Sequence, residues 1–142
     1  MRNAFSDHLY ELAIKDESIY VVVADISPAG SMLEFRRNFP DRFINTGVGE
    51  QIAIGISAGL AREGKFPFVY TIAAFTALRP YEFIRDDIAL QELKVCLVGI
   101  GGGLIYSSLG PTHHTLEELS ILGNLPGLVC FSPADKIELK DC

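Results

Sequence analysis

Residues 42–71 read RFINTGVGEQIAIGISAGLAREGKFPFVYT. Arg42–Asn45 is a short β-forming run, and Gly47-Val48-Gly49 ends it. Glu50–Arg62 is a segment of small and apolar residues that predicts a buried helix, stopped by Gly64. Phe66–Thr71 returns to aromatic and β-branched residues and predicts a second strand. Strand, glycine turn, helix and strand in this order form the crossover that joins parallel strands.

The same alternation extends to both sides. Upstream, Ile19–Ala24 (IYVVVA) is a continuous apolar run, the mark of a strand covered on both faces. Ahead of it, Ala4, Phe5, His8, Leu9, Leu12 and Ala13 recur at helical spacing, which predicts an amphipathic helix over 2–16. Ser27-Pro28-Ala29-Gly30 forms a loop, and residues 31–38 a short helix that ends before Pro40. Downstream, Leu78, Tyr81, Ile84 and Ile88 predict a helix over 76–92, followed by a strand over Lys94–Ile100. A glycine-rich loop over 101–113, a helix over Thr115–Leu122 and a final strand over Leu128–Phe131 come next. Pro133 and Asp135 open a last helix that is incomplete at Cys142. The expected architecture is α/β: a three-layer sandwich with a mostly parallel sheet, in one domain over residues 1–142.

Composition sets outer limits on function. The chain has 142 residues, of which 49% are hydrophobic and 21% charged. That excludes a disordered chain, and it leaves no room for separate cofactor and substrate domains. The net charge is -6, with no basic stripe, so a nucleic-acid footprint is missing. Cys96, Cys130 and Cys142 have no metal-ligand spacing, and they read as reduced thiols. The N-terminus lacks the apolar core of a signal peptide. No apolar stretch approaches the ~20 residues of a membrane helix. A cytoplasmic protein is expected, with no membrane and no resident metal.

Ligands of open parallel sheets bind beyond the carboxyl ends of the strands. Asp25 follows the first strand, Gly47-Val48-Gly49-Glu50 the second and Ala73-Ala74-Phe75 the third. Gly101-Gly102-Gly103 and then Gly110-Pro111-Thr112-His113-His114 follow the fourth. Spacing alone leaves two readings of Glu50. It is a helix-start carboxylate favoured by the macrodipole, or a ligand contact beside glycines that permit close backbone approach. The GIGGGL run at 99–104 lacks the signature of a phosphate loop and reads as a plain flexible loop. Adjacent His113 and His114 point in different directions, so one functional histidine is expected and a metal pair is not.

The stretch DRFINTGVGEQIAIGISAGLAREGKFPFVYTIAAF, with GPTHHTLEELSILGNLPGLVCFSPAD after it, resembles the pyrimidine-binding domain of the transketolase family. The likeness covers about residues 5–137. It implies a site for thiamine diphosphate shared with a second domain. Glu50 takes the place of the glutamate that hydrogen-bonds the aminopyrimidine and takes part in proton relay. Phe75 takes the place of the aromatic that stacks on the ring, Gly49 lies beside it, and Asp25 lies at the cofactor edge. His113 matches the histidine that contacts the substrate. The implied reaction transfers a two-carbon ketol unit between sugar or sugar-phosphate substrates.

Several positions depart from the family pattern. Leu78 stands where some members carry a second aromatic, and Leu109 where transketolases carry an acidic residue. Tyr106 offers a different polar contact to substrate, and Gly101-Gly102 leaves a roomier pocket. No GDG motif occurs, so the diphosphate and its Mg²⁺ are expected on a partner chain, the diphosphate-binding subunit. The chain then reads as the first part of the second subunit of a split transketolase, ended early and active only in a homo- or hetero-oligomer. Three alternatives stay open: a non-catalytic interaction module, a deoxyxylulose-phosphate-synthase-like subunit, or a 2-oxo acid dehydrogenase beta-like subunit.

Overall fold

The computed structural model describes residues 1–25 and 32–142. The expected Ser27-Pro28-Ala29-Gly30 loop lies outside the described residues. Four strands form one sheet: β1 (Ile19–Val23), β2 (Phe43–Asn45), β3 (Phe66–Ile72) and β4 (Cys96–Ile100). Their order is β2-β1-β3-β4, and every pair is parallel. Val21 is in register with Phe43 and Phe68, and Phe68 with Cys96.

Alternation along the strands sorts the apolar residues into two cores. On one face Ile19, Val21, Val23, Phe68 and Tyr70 pack with Leu9 and Ala13 of α1 (Arg2–Lys15) and Phe35 of α2 (Leu33–Asn38). On the other, Val22 and Val69 pack with Ala53, Ile54 and Ala58 of α3 (Glu50–Arg62), and with Ile84 and Ile88. Helix, sheet and helix are the three expected layers. Arg42 pins the first layer to the sheet edge. Its guanidinium donates to the carbonyls of Ala13 and Asp16 at 3.0 Å each and stacks over Phe39 at 3.9 Å. A cation at these carbonyls suits the negative end of α1.

The structure corrects four expectations. The segment expected as one helix over 76–92 is divided. α4 (Ala73–Ala77) starts directly from β3, and a turn at Leu78–Pro80 leads to α5 (Tyr81–Phe83), which runs on as a π-helical turn over Ile84–Ala89. Pro80 supplies the reason, because its ring disfavours a helical residue before it. It then starts the next helix, with its carbonyl accepting from the Ile84 N–H at 2.9 Å. Next, α3 is not buried all round. Glu50, Ala53, Ile54, Ser57 and Ala58 are buried, whereas Ile52 on the outer face is 58% exposed. The apolar residues of α3 extend around a helix that has a covering layer on one side only.

The third correction concerns Leu128–Phe131, which forms no strand: Val129 is 70% exposed and Phe131 60%. Leu128 packs into the second core. Gly127 (φ +80°) redirects the chain before it, and the helix that follows, over Lys136–Asp141, packs on α1. The last correction is that the GIGGGL run at 99–104, where the glycine-rich loop begins, is not a plain flexible loop, because Gly99 and Ile100 belong to β4. A backbone bridge closes the base of the loop, with Gly103 N–H donating to Thr115 O at 2.8 Å and Thr115 N–H to Gly103 O at 3.1 Å. Tight 3₁₀ turns at Ser107–Leu109 and Pro111–His113 fill it.

Two short helices follow. α6 covers Glu118–Leu122, three residues later than expected at its start. α7 (Lys136–Asp141) begins where Asp135 caps it, the carboxylate accepting from the N–H groups of Ile137 and Glu138. Among the described residues no helix is long and apolar enough to cross a membrane.

Burial pushes the Cys96 thiol up from its ordinary 9.0 to about 11, and the nearby Cys142 sulfur adds to the effect. The folded state therefore holds a proton that the unfolded chain loses first. Stability from this site is complete below pH 9 and is lost as pH rises toward 11. Native protein should lose about 2 kcal/mol more than Cys96→Ala between pH 8 and pH 11 in urea unfolding, given ~1.4 kcal/mol for each pH unit between the two values. Equal losses would show that the thiol is open to water.

Candidate active site

The site is built at the carboxyl ends of β2, β3 and β4. After β2, the Asn45 side chain accepts from the backbone N–H of Gly47 at 3.0 Å and of Asp25 at 3.2 Å, tying the β1 and β2 exits together. The Thr46 hydroxyl lies within 3.2 Å of the carbonyls of Val23 and Gly49. Gly47 takes φ +68°, which turns the chain into α3. Gly49 caps α3 and Glu50 is its first residue, only 4% exposed.

A carboxyl removed from water needs a cation or a proton. Arg79 supplies the cation: its Nη1 donates to Glu50 Oε1 at 2.7 Å. Glu50 Oε2 accepts no hydrogen bond among the described residues, which leaves one oxygen for a ligand. The Arg79 side chain is 42% exposed and its guanidinium lies 3.7 Å from the centroid of the Phe75 ring. Such a cation–π contact contributes about 0.5–1 kcal/mol at a partly exposed site. Gln51 donates to the Arg79 carbonyl at 3.3 Å and fixes the turn that carries it.

Phe75 sits on α4, immediately beyond the end of β3. Gly99 of β4 is the close approach that sets its position. A Cβ there would lie 3.1 Å from both Cα and Cβ of Ala73, so only hydrogen lets α4 pack this near β4. The Pro111–His113 turn also contacts α4. His113 meets Phe75 edge to face, with centroids 5.0 Å apart. Its Nδ1 is 3.0 Å from the Thr112 hydroxyl, and Nε2 has no partner among the described residues. His114 turns away toward the Ser107 carbonyl at 3.5 Å.

Glu50, Phe75 and His113 thus form one connected cluster, through Arg79. Tyr106 borders it, 6.5 Å from His113 by centroids. Its ring lies against Gly101, in space that a side chain there would fill, so the pocket expected over Gly101 is occupied by Tyr106. The Tyr106 hydroxyl accepts from Arg2 at 2.6 Å, which draws it toward α1. Asp25 is exposed and holds φ +41°, a conformation unusual for a residue with a side chain. Asp25 has no contact with Glu50, Phe75 or His113 among the described residues. Leu78 and Leu109 are both exposed. Sequence reasoning missed Arg79, whose signal is a cation four residues after Phe75, at the spacing of one helical turn.

The pyrimidine-binding domain profile of transketolase matches residues 1–142. The chain belongs to the transketolase pyrimidine-binding domain family. It is 38% identical over 134 residues to one of the subunits of the apulose-4-phosphate transketolase of Phocaeicola vulgatus, covering 94% of this chain and 43% of that one. It is 39% identical to the 1-deoxy-D-xylulose-5-phosphate synthase of Oleidesulfovibrio alaskensis, covering 96% of this chain and 21% of that one. A split-gene transketolase solved as an inactive beta4 tetramer superposes with a TM-score of 0.85 at 35% identity, over 98% of this chain and 44% of that one. The chain spans less than half the length of these relatives.

The transketolase-like cluster depends on α4 lying close to β4. Gly99→Val should cost roughly 1–3 kcal/mol in urea unfolding through overpacking, and it should separate the Phe75 and His113 rings in an NMR contact map. Native stability in the variant would show that α4 has room to move.

Proposed function

We propose that this chain supplies the pyrimidine side of a thiamine diphosphate site in a transketolase-like transferase. The enzyme would move a two-carbon ketol unit between sugar or sugar-phosphate substrates. The observation that carries this reading is the buried Glu50 carboxyl, held at the head of α3 in one cluster with Phe75 and His113. Such a carboxyl suits a ring nitrogen that gains and loses a proton, and a flat apolar ring suits a heteroaromatic partner. The Glu50 carboxyl and the Phe75 ring therefore offer an edge and a face that suit an aminopyrimidine.

The residues divide the task. Glu50 holds and moves a proton at its Oε atoms. Phe75 binds one face of the pyrimidine and excludes water from it. Gly49 brings the backbone close to the ring. His113 presents Nε2, which carries the proton when the Thr112 hydroxyl donates to Nδ1, and so orients a substrate hydroxyl or carbonyl. Tyr106 supports His113 at the rim, and Asp25 borders the cofactor edge. When bound, thiamine diphosphate supplies the electron sink for breaking the carbon–carbon bond beside a carbonyl.

The diphosphate and Mg²⁺ are assigned to a partner chain, a diphosphate-binding subunit, within a cytoplasmic hetero-oligomer. The relatives whose names carry a subunit designation support this division. Mg²⁺ prefers hard oxygen ligands, and the sequence has no GDG motif.

Mixing the chain with a diphosphate-binding transketolase subunit should yield ketol transfer from a ketose donor to an aldose acceptor. Glu50→Gln should lower turnover by about 10²–10⁴-fold, the usual worth of a positioned proton-transfer group, while circular dichroism shows a folded chain. Undiminished turnover in the variant would overturn the proton role. Tight Mg²⁺-dependent binding of thiamine diphosphate by this chain alone would overturn the shared site. Pyruvate decarboxylation with capture by an aldose phosphate, in place of ketol transfer, would assign the synthase-type reaction instead.

A further inference from the structure

The Arg79 guanidinium is a flat conjugated group with N–H donors along its edge. Its central carbon lies over the Phe75 ring, 3.7 Å from the centroid, and its edge donates to Glu50 Oε1 at 2.7 Å. These are the two contacts assigned above to an aminopyrimidine: a face on Phe75 and an edge on Glu50. At 3.7 Å the guanidinium leaves no space for a second flat group on that side of the ring. The side chain is also free to leave. It is 42% exposed, and beyond Glu50 and Phe75 its guanidinium has no partner among the described residues. Its backbone is held independently, by Gln51 on the carbonyl and by Pro80 next in the chain.

We propose that Arg79 is an internal stand-in for the aminopyrimidine. Without cofactor it covers the Phe75 face and neutralises the buried Glu50 carboxylate. Loading of the site displaces it. The proposal rests on the reading of Glu50 and Phe75 as the pyrimidine contacts. It has a thermodynamic consequence: the competing internal contact lowers the apparent affinity for the ring by the fraction of chains in which Arg79 is seated. The stand-in also spares the empty half-site an unpaired buried charge.

The test uses this chain and, as the probe, the free hydroxymethyl-aminopyrimidine half of thiamine, titrated by NMR into arginine-labelled protein. In the unliganded chain the Arg79 side-chain protons should be shifted by the Phe75 ring current, and the shift should vanish as the probe saturates. Arg79→Ala should bind the probe at least several-fold more tightly than the native chain. Arg79→Lys, which keeps the charge without the flat face, should fall between them. Should Arg79→Ala unfold by circular dichroism, Arg79→Met keeps the aliphatic stem and carries the same expectation.

Variants that bind no more tightly than the native chain, including no binding by any, overturn the stand-in. So does a native chain that takes up the probe with its Arg79 signals unmoved. Adding Glu50→Ala to Arg79→Ala separates the two readings. Loss of the gained affinity supports both, whereas affinity that survives places the probe elsewhere and overturns the site reading itself.

Discussion

The Glu50 carboxyl is almost wholly removed from water at the first turn of α3. In that position it must share a proton or face a cation, because an unpaired buried charge is among the costliest features a small protein can carry. The answer in this chain is Arg79, brought from the turn between α4 and α5. The pair is asymmetric: one end is buried and the other is half in solvent. Screening on the Arg79 side keeps the contact well below the strength of a fully buried pair. A contact of that kind satisfies the carboxyl while leaving it exchangeable.

Everything that surrounds the pair follows from parallel topology. β1 and β2 end together, and Asn45 ties both exits to the turn that carries Glu50. β3 runs without a linker into α4, so Phe75 stands immediately above the sheet edge. Gly99 lets α4 approach β4, and the closed 103–115 loop sets the His113 turn against α4. Residues far apart in the chain therefore meet because their strands end at one edge, as expected for ligand sites of open α/β sheets.

Much of this was legible in the residues. The continuous β-branched run of β1 and the glycine-flanked start of α3 are local signals, and both elements formed where expected. Glu50, Phe75 and His113 were visible as residues that follow strand ends. Other features were hidden for physical reasons. Periodicity carried Leu78 to Ile88 as one helix, whereas Pro80 divides it and leaves a turn for Arg79. The Leu128–Phe131 run has strand composition. A fifth strand would need cover on both faces, and α7 packs on α1 rather than there.

Local composition and spacing by themselves determined the α/β class, the parallel order of exits and the identity of the helix-start carboxyl. Those properties depend on which residues prefer strand, turn or helix, and on side-chain period, both of which are written in short windows. Tertiary structure alone decided which cation meets Glu50, which ring Arg79 covers and where the Tyr106 hydroxyl goes. Each is a contact between residues 29 to 104 positions apart or across a helix break. Such contacts arise only when the sheet has gathered its strand ends, and no local preference specifies them.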